Sequence, residues 1–267
     1  MSSGVTTTTT ELPIIAALRQ GQVYLPGGVA GADPWLGRFD QLPQAAAAGA
    51  GRKVPLLAFL PGSTDRGLEG MIIDELARPL DIAMVALNTH AVIGRPQYRT
   101  PAPPDRYAAA HALRHAEVDL LLGALPALAF AEDQPMILLG VSEGAVAAGC
   151  HASMRFGLRI VVAWAMEPGY FHPDPVPGGD ETTVFLNVIG GDDRFFGAKS
   201  EYARPGTTGH SADRLADRAG SQVVILPGHG HRVLEESTHA FEEISSFTRR
   251  WLDRSRRDNQ QGNMTCV

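Results

Sequence analysis

Residues 136–147 read Met136-Ile137-Leu138-Leu139-Gly140-Val141-Ser142-Glu143-Gly144-Ala145-Val146-Ala147. A short apolar run ends in G-x-S-x-G, and a small-residue segment suited to a helix follows it. That strand–turn–helix setting gives the motif its meaning, because it lifts a serine hydroxyl out of the end of a sheet. A serine on so sharp a turn sits in a strained backbone conformation, and a side chain at Gly140 or Gly144 would crowd it. The turn also leaves the backbone N–H of Glu143 near a helix N-terminus, where it can face a developing oxyanion. The same pattern arises by chance in chains rich in glycine and serine, so the rest of the chain has to support it.

Other short apolar runs surround this one. Residues 54–60 are almost continuously apolar, as a strand buried on both faces requires, and they end in Pro61-Gly62-Ser63-Thr64. Residues 82–87, 160–165, 184–189 and 223–226 read as further strands, residues 136–139 as the strand feeding the turn, and residues 22–25 as a short first strand. Between them lie helical patterns. Residues 70–78 turn Met71, Ile72, Ile73 and Leu76 inward and end at Pro79. Residues 107–125 place Leu113, Val118, Leu121 and Leu122 on an apolar side, and residues 241–254 form a terminal amphipathic helix. Strands alternating with helices imply an α/β fold with a mostly parallel central sheet and helices on both faces. The segment 167–182 is a modest Pro- and Gly-containing loop, so no large cap domain is expected.

The expected organisation is a disordered threonine-rich tail over residues 1–11, then an N-terminal extension over 12–53 that packs on the core. A catalytic domain follows over 54–254, with a short tail over 255–267. A chain of 267 residues with 44% hydrophobic content suits one large globular domain. The net charge of −6 and the lack of a basic stripe argue against nucleic acid as a partner. Cys150 and Cys266 are too far apart and too few for a disulfide framework. The first residues lack the charge and apolar core of a secretory signal, and no apolar run approaches the ~20 residues of a membrane helix. A cytoplasmic protein without membrane contact is the expectation; a homodimer is left open.

Two strand ends carry candidate partners for Ser142. Gly190-Gly191-Asp192-Asp193-Arg194 follows residues 184–189, and Pro227-Gly228-His229-Gly230-His231 follows residues 223–226. Ligands and catalytic groups gather at this edge of an open α/β sheet. Serine is a weak nucleophile at neutral pH and needs a base within reach. Histidine supplies one, and a buried carboxylate holds its ring in the right tautomer. The order Ser, Asp, His is the one expected when the nucleophile stands on such a turn.

On these residues the chain resembles the α/β-hydrolase superfamily, and within it the dienelactone-hydrolase-like serine esterases, over about residues 54–254. The resemblance implies Ser142 as nucleophile. It implies Asp193 as the acid, three residues after Gly190, and His231 as the base at the end of the Pro227-Gly228 turn. It also places the second oxyanion N–H on Ser63, after Gly62, with Thr64 as the alternative, although many relatives carry His-Gly where this chain has Pro61-Gly62. The implied activity is hydrolysis of a small-molecule carboxylic ester, lactone or thioester through an acyl-enzyme, with no cofactor. Acyl transfer, peptide hydrolysis or ligand binding without catalysis are the alternatives on the same scaffold.

Asp192 and His229 remain rivals for the acid and the base. Glu143 either faces the site and raises the histidine pKa by charge attraction, or points away and pairs with a loop cation. His90, at a strand end, is a candidate pocket residue; His111, His115, His151, His172, His210 and His239 read as surface or packing residues. Tyr170, Phe171, Phe195 and Phe196 lie on loops after strand ends and could wall an acyl or aromatic pocket or simply anchor those loops. No metal is expected: His229, His231, Glu235 and His239 match no zinc spacing. The glycines of the turn match neither a phosphate loop nor a dinucleotide fingerprint.

Overall fold

The computed structural model describes residues 13–64 and 67–264; the tail read at residues 1–11 lies outside them. The described residues form eight strands: β1 (Gln22–Leu25), β2 (Trp35–Arg38), β3 (Val54–Leu60), β4 (Ala83–Ala86), β5 (Ala131–Val141), β6 (Leu158–Val162), β7 (Val184–Gly190) and β8 (Gln222–Leu226). They make one sheet in the order β2-β1-β4-β3-β5-β6-β7-β8. β1 is antiparallel to both neighbours, and every pairing from β4 across to β8 is parallel.

The helices are α1 (Ile15–Arg19), α2 (Gln44–Ala47), α3 (Leu68–Ile72), α4 (Arg78–Leu80), α5 (Pro104–Ala124), α6 (Glu143–Cys150), α7 (Val233–Glu236) and α8 (Thr238–Met264). Every residue of β3 is buried, and its side chains alternate between two cores. Leu57 and Phe59 join Ile72 and Leu76 of the α3 region and Phe241, Ile244 and Trp251 of α8. Leu56, Ala58 and Leu60 join Val118 and Leu121 of α5 and Ala147 and Ala148 of α6. Helices therefore cover both faces, and among the described residues none lies between β6 and β7, so no cap domain stands over the sheet.

The structure departs from the sequence reading in several places. β2 lies in a Pro-, Gly- and Ala-rich stretch without alternation, yet it pairs with β1 in full register. β5 begins five residues before Met136: Val54 pairs with Ala131, and the register then shifts so that Leu56 faces Met136. β6 stops at Val162 because Ala163 turns to φ 53°. Between α3 and α4 the helix widens into a π turn, Ile73–Ala77, just ahead of Pro79, which has no N–H to give and whose ring would crowd the preceding turn. α8 runs to Met264, well past Arg254, through residues rich in Arg, Asn and Gln that tolerate helix.

The largest difference is in α5. Val118 and Leu121 are buried as expected, but Leu113 and Leu122 are only half-buried. The inward face instead carries His111, Arg114 and Glu117. Arg114 Nη1 lies 2.6 Å from Glu117 Oε2, and both side chains are fully buried. Burial raises the Glu117 pKa, and the Arg114 guanidinium opposes that rise. Among the described residues no helix is long and apolar enough to cross a membrane.

Candidate active site

Ser142 links β5 to α6 at φ 54° and ψ −115°, the strained turn expected of it. Its N–H bonds Val162 O at 2.9 Å, which ties the turn to the end of β6. The glycines are required for space. A Cβ on Gly140 would strike the Gly144 main chain, and one on Gly144 would strike the carbonyls of Leu60 and Pro61. That second contact presses the start of α6 against the Pro61-Gly62-Ser63 loop. Arg114 Nη2 fixes the same loop from below by donating to Pro61 O at 2.9 Å.

Three strand ends bring three side chains together. His231 Nε2 is 2.9 Å from Ser142 Oγ, and His231 Nδ1 is 2.8 Å from Asp193 Oδ2. An ionised carboxylate can only accept, so Nδ1 carries the ring proton and Nε2 accepts from the hydroxyl. Asp193 is 2% exposed, and its Oδ1 accepts from the backbone N–H groups of Phe195 at 2.8 Å and Phe196 at 3.2 Å. These bonds hold a buried charge that would otherwise be costly. Asp192 is exposed and bonds through its N–H to His229 O, and His229 Nδ1 turns to Pro227 O. Both rivals stand outside the hydrogen-bonded chain. His229, His231, Glu235 and His239 do not converge on a common point.

The N–H groups of Ser63 and Glu143 donate to no described residue, and both residues line the cavity that holds Ser142. Gly62 sits beside Ser142, where a Cβ would lie 3.6 Å from Ser142 Cβ. Thr64 lines the same cavity.

Glu143 points away from His231 toward a cation. Arg95 Nη2 donates to its Oε1 at 2.6 Å and the Tyr98 hydroxyl donates to its Oε2 at 2.7 Å. The Arg95 and Glu143 side chains are 8% and 1% exposed. Burial, with the carboxylate close by, pushes the Tyr98 phenol well upward, so it stays a donor. The segment between β4 and α5 is thus strapped to the turn by a buried ion pair. The sequence offers one signal for this arrangement: a lone carboxylate opening a helix of small apolar residues needs a partner.

The cavity in front of Ser142 has a volume of about 870 Å³. Phe171, Phe195 and Phe196 line it as the sequence suggested, together with Tyr98, Tyr107 and Tyr202, which the sequence did not mark. Tyr170 stands behind, its ring 5.6 Å from that of Tyr107 and its hydroxyl on Ala102 O. The Phe195 ring meets that of His231 edge-on at 4.8 Å. His90 is exposed and lies outside the lining, whereas His111, read from sequence as a packing or surface residue, is part of it.

No protein-family model matches the chain, and no curated protein matches it in sequence. Among solved structures it is similar to the crystal structure of esterase PE8, at TM-score 0.53 and 18% identity, over 75% of this chain and 94% of that one. It is also similar to a phospholipase/carboxylesterase from Dyadobacter fermentans DSM 18053, at TM-score 0.52 and 16% identity, over 73% of this chain and 89% of that one. With a mostly parallel sheet, helices on both faces and a serine at the β5–α6 turn, the chain has the α/β-hydrolase fold.

Proposed function

We propose that the protein is a serine hydrolase of carboxylic esters, lactones or thioesters. The observation that carries this reading is the unbroken hydrogen-bonded chain from Ser142 through His231 to Asp193 at the mouth of an open cavity. Ser142 Oγ attacks the acyl carbonyl while His231 Nε2 takes its proton. The oxyanion that forms faces the N–H groups of Glu143 and Ser63. His231 then protonates the departing alcohol or thiol, leaving an acyl-enzyme. Water attacks this acyl group as His231 takes its proton, and His231 returns that proton to Ser142 Oγ as the acyl–oxygen bond breaks and the acid leaves. Asp193 keeps the imidazole oriented and stabilises the imidazolium in both halves. These steps call for no cofactor. The spacing of Gly190 to Asp193 and the turn from Pro227 to His231 support the dienelactone-hydrolase-like reading within this class.

A fluorophosphonate probe and a series of p-nitrophenyl esters of graded chain length test the proposal. The probe is expected to label the protein at Ser142, and Ser142→Ala to abolish labelling and reduce hydrolysis by about 10⁴-fold or more. Hydrolysis that survives in Ser142→Ala overturns the mechanism. Absence of both labelling and turnover would favour a binding protein on this scaffold.

A further inference from the structure

Apart from Glu143, which is buried and paired with Arg95, the rim and the floor of the Ser142 cavity differ in charge. Arg99, Asp192, Arg194 and Arg232 are exposed and form its rim. Tyr107, Val141 and Val146 are buried and form its floor. His111 belongs to that floor. It is 8% exposed, yet its ring makes no hydrogen bond to any described residue. Its nitrogens are absent from the fully enclosed, unpartnered polar atoms, and the residue lines the cavity, so a bound group can reach the ring in place of water.

The surroundings restrict that group. The ring stacks on His172, with centroids 5.7 Å apart and planes 19° from parallel. Burial, reinforced by His172 and His115, holds His111 neutral with a pKa of about 3. A neutral imidazole offers one donor and one acceptor. A hydroxyl matches that pair, because it can both give and accept. Around it runs a belt of rings. Tyr98 meets Tyr107 at 4.7 Å, Tyr107 meets Phe171 at 5.1 Å, and Phe171 meets Phe196 at 4.9 Å. Such a belt presents edges and faces suited to another flat ring.

We infer that the substrate is an ester with a hydroxyl-bearing aryl group, and that His111 sets specificity by hydrogen-bonding its hydroxyl. The inference rests on the esterase reading above. Two matched pairs test it: methyl para-hydroxyphenylacetate against methyl phenylacetate, and meta-hydroxybenzyl acetate against benzyl acetate. In at least one pair the hydroxylated ester is expected to have a kcat/KM higher by about tenfold. That ratio falls to about one in His111→Leu and partly returns in His111→Gln, which keeps a donor and an acceptor. Turnover of the plain esters by the variants reports an assembled centre. No hydroxyl preference in either pair, or a preference that survives His111→Leu, overturns the inference and leaves the esterase intact. Lack of any Ser142-dependent turnover instead defeats the esterase reading itself.

Discussion

At the Ser142 turn the close contacts are between main chains; in the cavity it faces they are between side chains from three loops and one helix. Gly140 and Gly144 let β5, α6 and the Pro61-Gly62 loop approach more closely than any side chain would allow. The cavity draws Tyr98 from the β4–α5 segment, Phe171 from the β6–β7 segment, Phe195 from the β7–β8 segment, and Tyr107 and His111 from α5. Backbone contacts of the first kind leave little to adjust. Side-chain contacts of the second kind can be exchanged without disturbing the turn, so the proposed reaction and the proposed choice of substrate fall in separable parts of the molecule.

The two buried carboxylates beside the turn test that separation most severely. Asp193 holds a histidine that can move a proton, and Glu143 holds an arginine and a tyrosine that cannot. Under the proposed mechanism Asp193→Asn is expected to lower kcat/KM by about 10⁴-fold, the loss seen when a Ser-His-Asp triad loses its acid, whereas exposed Asp192→Asn changes it by less than about threefold. Equal effects in an ester assay would erase the distinction between the two aspartates. Arg95→Met leaves a buried charge unpaired and should cost about 3–5 kcal/mol, read from the denaturant midpoint. Most of that loss returns in the Arg95→Met, Glu143→Gln double variant. Failure of the second change to restore stability would mean that the strap is held by something other than charge pairing.

Acid comes next in size. His111 in the folded protein keeps a pKa of about 3, against ~6.5 when unfolded. Above pH 6.5 neither state binds the proton. Below it the unfolded chain is protonated first, so the stability that neutral His111 contributes is lost as pH falls from 6.5 toward the folded value. Between pH 6.5 and 5 this amounts to at most about 2 kcal/mol. His115, lowered to about 4 by burial and by His151, adds in the same sense. The slope of melting temperature against pH should be shallower in His111→Gln; an unchanged slope contradicts the assignment. The smallest expected effect is on the strap itself. Ile93, 84% exposed, can become Ser with a change within about 0.5 kcal/mol, because Arg95 and Tyr98 carry the attachment.

The legible parts of the fold share one property. β3, β6 and β7 are buried on both faces and are therefore mostly apolar, with Arg159 and Asn187 admitted because they bond buried carbonyls. α5 was misread where that logic fails. Arg114 and Glu117 pair as ions inside the protein and Arg114 donates to Pro61 O, so polarity there no longer marks the outward face. β2 carries no alternation because it is an edge strand with half-exposed residues, and its pairing rather than its composition makes it a strand. The sequence favours His90, at a strand end, over His111 as a pocket residue, and the structure reverses them. Only the docking of α5 beside the turn decides which of them reaches the cavity.

The sequence by itself determined the local geometry of the turn, the existence of the central strands and the order in which a serine, an acidic pair and a histidine pair reach one edge of the sheet. Those features depend on sterics and periodicity within a few residues. Only the tertiary structure decided that Asp193 rather than Asp192 meets His231, that Arg95 neutralises Glu143, and that His111 opens into the cavity. His231 lies 38 residues from Asp193 and 89 from Ser142 along the chain. Contacts over such separations depend on how whole elements pack, and no local pattern records that packing.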